Sequence, residues 1–61
     1  MTLQEMIIAA TAKGYRLRYD EDEKGWMIIT PKRPRRPSEE LGCYRHERTA
    51  WADAAMIAGK E

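Results

Sequence analysis

The sequence predicts an α+β fold: a small single domain, residues 1–61, of order α-β-β-(β)-α, an antiparallel meander with two helices packed on one face. Three observations lead there. Apolar residues recur at helical spacing near both ends, Leu3, Met6, Ile7 and Ala10 first and Trp51, Ala54, Ala55 and Ala58 last. Between them, residues 15–20 alternate apolar and polar side chains, the pattern of a half-buried strand. Residues 25–30 then form a charge-free run of aromatic and β-branched residues, with Met27 and Ile29 on one side and Trp26 and Ile28 on the other. A strand apolar on both faces belongs at the centre of a sheet or under a helix.

The first helix is expected over 2–13. Thr2 and Glu5 have the spacing of a capping box, in which each side chain satisfies a free amide of the other residue. Lys13 suits the negative helix end, and Gly14 suits a left-handed terminator. In the following strand Tyr15, Leu17 and Tyr19 share one face, and Arg16 and Arg18 the other. The polar run Asp20-Glu21-Asp22-Glu23-Lys24, ended by Gly25, reads as the loop of a hairpin. Its four consecutive acids repel one another and are expected to point into water, either as a solvated turn or as an anionic knob for a basic partner.

After the central strand, Pro31, Pro34 and Pro37 recur every third residue, the period of a polyproline II helix. That conformation stacks the prolines on one edge, Lys32 with Arg35 on a second, and Arg33 with Arg36 on a third: a stiff cationic rail. The segment also matches the Pro-x-x-Pro pattern read by SH3-type domains. Residues 41–45 make a third strand, interrupted by Gly42, and the closing helix is placed at 47–58 with Trp51 as its anchor and Ile57 widening the stripe.

Composition narrows the function. A chain of this length buries only roughly 60% of its unfolded surface, which leaves little room for a deep substrate cavity. The net charge of +1 conceals segregation: residues 32–37 hold four basic and no acidic side chains, whereas residues 1–31 and 38–61 each hold more acids than bases. One cysteine, Cys43, permits no intrachain disulfide and fits a reducing cytoplasm. No signal peptide or membrane-length apolar run is visible.

Catalysis finds no constellation. There is one Ser, one Cys and one His; Cys43 and His46 lie three apart, fall on opposite faces of a strand, and make only half a zinc ligand set. Cys43 is expected to act as a small hydrophobe and His46 to be exposed or capping. The acids at 20–23 lack the alternate spacing of a calcium loop. The reading is therefore a non-enzymatic protein without catalytic residues, metal or cofactor. Its partner-binding candidates are the acidic loop, Asp20, Glu21, Asp22 and Glu23, and the basic loop, Lys32, Arg33, Arg35 and Arg36.

Two resemblances add to this. The α-β-β-β-α order resembles the double-stranded RNA-binding domain in topology. That family carries lysines at the start of its last helix, where this chain reads Glu47-Arg48-Thr49-Ala50-Trp51, so its groove-spanning phosphate contacts are missing. In addition, Lys13-Gly14-Tyr15-Arg16-Leu17, Gly25-Trp26-Met27-Ile28 and Ala50-Trp51-Ala52-Asp53-Ala54-Ala55 look like small accessory proteins of phages and prophages of Gram-negative bacteria, some of which are anti-CRISPR proteins. This resemblance implies a binding protein acting by occlusion. With the two charged protrusions it leads to the expectation of a protein in the host cytoplasm, a monomer or weak homodimer, that blocks a host protein or nucleoprotein complex such as a CRISPR effector by occlusion or charge complementarity. It carries over no inhibitory residue. A small nucleic-acid-binding regulator using the basic loop is the alternative, and a homodimeric structural module a third.

Overall fold

The computed structural model describes residues 1–60 and has two helices and three strands, in the order α1 (Leu3–Ala12), β1 (Arg16–Asp20), β2 (Gly25–Ile29), β3 (Glu40–Tyr44) and α2 (Glu47–Gly59). The strands form one antiparallel sheet in the order β1-β2-β3, so the charge-free run is its central strand.

Local chemistry sets the ends of α1. The Thr2 hydroxyl accepts from the Glu5 amide at 3.2 Å, and the Glu5 carboxylate accepts from the Thr2 amide at 3.0 Å, which closes the capping box. These bonds hold the Glu5 carboxyl below its ordinary pKa. At the other end Gly14 takes φ +88°, its amide donates to the Thr11 carbonyl, and the Tyr15 amide donates to that of Ala10. This is a Schellman stop, and it delivers Tyr15 directly into the core.

The register of β1 on β2 places Leu17 opposite Ile28 and Tyr19 opposite Trp26. Residues on this side face the helices, and Ile28 is completely buried there. The rings of Tyr19 and Trp26 meet edge-on, with centroids 5.3 Å apart. Ile28 also pairs with Leu41 and Trp26 with Tyr44, with an irregularity between the two pairs where Gly42 takes φ +63°. That extra residue is a bulge in β3, and it explains why residues 41–45 do not alternate cleanly in the sequence.

Helix α2 lies across all three strands, and α1 packs along α2. Ala10, Ala54 and Ala58 let the layers approach closely, while Met6, Tyr15, Ile28 and Trp51 fill the volume between them. Trp51 is anchored by its indole N–H, which donates to Glu47 Oε1 at 3.1 Å. Leu3, Ile7, Leu17, Leu41, Tyr44, Ala55 and Ile57 close the margins. No helix among the described residues is long and apolar enough to cross a membrane.

Two expectations need correction. Cys43 is exposed rather than a small core hydrophobe, because the bulge turns it onto the open face of the sheet. It stands over Gly25, where a Cβ would lie 2.5 Å from its Sγ. The segment 31–37 is not an extended polyproline rail. Arg33 and Arg36 exchange both backbone hydrogen bonds, at 2.8 and 3.1 Å, so the chain reverses over Pro34-Arg35. Both ends of this connection are pinned to neighbouring strands, which forces a reversal. Pro34 presets the backbone for the first position of the turn, and a polyproline helix has no hydrogen bonds of its own to compete.

Candidate functional site: a basic end and an acidic end

Because β1 and β2 are antiparallel, everything joined at one end of the sheet is separated from the other end by the strand length, roughly 17 Å. The start of β1, the end of β2 and the start of β3 meet at one end. This end gathers Lys13, Arg16, Lys32, Arg33, Arg35 and Arg36, all exposed. Packing brings them together: Gly14 lies against Pro31, so close that an added Cβ would sit 2.9 Å from the proline Cβ.

The basic loop is a braced hairpin extension. The Thr30 amide donates to the Glu39 carbonyl at 2.9 Å, and the Glu39 amide donates to Thr30 Oγ1 at 2.8 Å. The Ser38 hydroxyl donates to the Thr30 carbonyl, and the Arg33/Arg36 pair closes the tip. Two hollows flank the loop at Thr30-Pro31. One, about 180 Å³, lies on the helix side, lined by Tyr15, Leu41 and Ile57 with Arg33, Arg36 and Glu39 at its polar side. The other, about 290 Å³, lies on the open-face side with Arg16, Lys32 and Ser38. Arg16 thus joins the basic loop, a juxtaposition that only the β1–β2 register creates. Arg18, two residues on, does not. Its guanidinium crosses the open face over β2 and pairs with Glu40 at 2.7 Å.

The acidic loop sits at the opposite end and is less available than its sequence implies. Asp20 is half-buried, and its Oδ1 accepts from the amides of Asp22 and Glu23 at 2.9 and 3.4 Å. It caps its own turn. Lys24, at φ +52°, completes the reversal. Glu21, Asp22 and Glu23 are exposed, but the end of β3 and the start of α2 bring Arg45 and Arg48 to this same end. The negative end is therefore mixed in charge, whereas the positive end has Glu39 as its one acid outside the Arg18–Glu40 pair among the described residues.

Elsewhere titratable groups are sparse. His46 is the exposed N-cap of α2 and makes no side-chain capping bond. Tyr44 reaches from β3 to α2, where its hydrogen bond to the Asp53 carboxylate, together with burial, raises its pKa. The described residues contain no His, Cys, Asp and Glu grouping suited to a metal ion. Comparison with protein-family models, curated proteins and solved structures gives no match to this chain.

Proposed function

We propose that this chain is a non-enzymatic nucleic-acid-binding protein that grips phosphates with its basic end. The observation that carries the reading is the convergence of Lys13, Arg16, Lys32, Arg33, Arg35 and Arg36 around one hydrogen-bonded turn. Cations held on a braced loop need little further ordering when they dock, and guanidinium groups match phosphate oxygens in pairs. Most of the free energy of such binding comes from counterion release, which needs no sequence readout and no deep cavity. Charge reversal of Lys32, Arg35 and Arg36 to Glu tests this by fluorescence anisotropy with labelled oligonucleotides. Binding abolished in a variant with an unchanged circular dichroism spectrum supports the reading; unaltered affinity overturns it.

A second reading is favoured by the exposed carboxylates of Glu21, Asp22 and Glu23 at the far end of the sheet. They suit docking onto a basic groove of a host nucleoprotein complex, the anti-CRISPR-like role. Arg45 and Arg48 beside them weaken any imitation of a phosphate row, which is why this reading stands second. Replacing the three acids with Ser in a phage-plaquing assay on a CRISPR-immune host separates the two: protection lost with the acidic turn but kept without the basic loop favours inhibition by the acidic end.

A further inference from the structure

The hollow on the helix side of the basic loop has a chemistry the phosphate-gripping surface does not require. Its volume of about 180 Å³ is far below the roughly 300–1,000 Å³ of small-molecule sites. It is too small to enclose a whole nucleotide, yet it has space for one planar ring. Tyr15, Leu41 and Ile57 make it apolar on the side facing the core. Its polar side carries Arg33 and Arg36, and Glu39 lines it as well. A carboxylate beside a phosphate-binding surface works against phosphate, so its presence there points to a different ligand group. Ionised Glu only accepts hydrogen bonds. The backbone amide and carbonyl of Glu39 tie the loop to Thr30, which leaves the carboxylate outside those ties.

Resting on the nucleic-acid reading above, we propose that this cleft receives one unstacked base of a single-stranded nucleic acid and that Glu39 selects bases bearing an exocyclic amino group. The ring lies against Leu41 and Ile57, and its amino hydrogens point to Glu39. Neighbouring phosphates fall on Arg36 on one side of the loop and on Arg16 and Lys32 in the second hollow on the other. Duplexes are disfavoured because their bases are stacked and paired, out of reach of a pocket. Cytosine and uracil make the sharpest comparison. At the same ring position cytosine presents an N4 amino donor and uracil an O4 acceptor, which would face the carboxylate with both groups unsatisfied.

The test is fluorescence anisotropy with three labelled probes, a deoxycytidine 12-mer, a deoxyuridine 12-mer and a mixed-sequence duplex, at one low salt concentration. One charge-assisted hydrogen bond gained or lost predicts about tenfold tighter binding of the cytidine strand. Glu39→Gln erases the preference, since its amide offers either a donor or an acceptor, without changing the melting temperature. Ile57→Trp, which fills the cleft, lowers affinity for the single strand and leaves duplex affinity as it was. Equal binding of the two single strands, or a preference that survives Glu39→Gln, overturns the base site. If all three probes bind alike and the charge-reversed loop binds none, the base site falls while phosphate gripping stands. If no probe binds the wild-type protein, both fall.

Discussion

Gly14 is the residue through which the fold holds the basic end in place, and Gly14→Ala tests how. Two separate terms oppose the methyl group. The backbone sits at φ +88°, where an L-residue with a Cβ pays roughly 1–2 kcal/mol. The new Cβ would also lie 2.9 Å from Pro31 Cβ, closer than carbon atoms pack, so the loop must shift. The first term alone is a large share of the roughly 3–9 kcal/mol expected for a chain of this size. A melting temperature lower by roughly 4–16 °C follows, at about 4–8 °C per kcal/mol for small domains. Urea unfolding followed by Trp fluorescence should show a lower midpoint with an unchanged slope. Repeating the substitution in a Pro31→Gly background removes the contact and leaves the backbone strain, so the difference between the two costs measures the coupling of helix end to loop. A Gly14→Ala variant within about 0.5 kcal/mol of wild type, smaller than the left-handed penalty alone, would refute the argument.

Trp51→Ala removes the largest piece of the core together with its bond to Glu47, and at roughly 3–5 kcal/mol it should take away between about a third and all of the roughly 3–9 kcal/mol expected, read as a lower urea midpoint by circular dichroism. The raised pKa of Tyr44 stabilises its protonated form in the fold, so this contribution is complete below the unfolded tyrosine pKa and disappears as pH rises through the folded one. The stability gap between wild type and Asp53→Ala should therefore hold at neutral pH and close as tyrosine ionises, and a gap that persists unchanged through tyrosine ionisation would exclude the bond. Exposed Cys43 should react with a thiol reagent in native buffer at a rate that urea barely changes; protection that urea relieves would place it back in the core.

Much of this fold is legible in the sequence because the signals are local. The Thr2/Glu5 box, the stop at Gly14, the alternation over residues 15–20 and the stripe through Trp51 each depend on spacings of a few residues, and each element appears within a residue or two of its expected place. What escaped depends on residues far apart in the chain. Proline spacing over 31–37 suggested an extended rail, but the pairing of Thr30 with Glu39 decides that the loop must turn back. Gly42 marked a weak strand, yet nothing local showed that its bulge would turn Cys43 outward. Arg16 and Arg18 look equivalent in sequence and part company only because Glu40 faces one of them across β2. The four acids at 20–23 likewise read as one patch, although Asp20 serves its own turn. The candidate residues were thus visible as charge runs; their grouping into a basic and an acidic end was set by the sheet register.

The central claim, that the basic end grips nucleic-acid phosphates, is tested most directly by the salt dependence of binding. Anisotropy titrations of a labelled single strand should give a log–log slope of roughly −0.7 for each phosphate neutralised. Replacing Lys32, Arg35 and Arg36 with Ala should then make the slope shallower by about 2. A wild-type slope near zero, or a triple variant with the wild-type slope and affinity, would contradict the account.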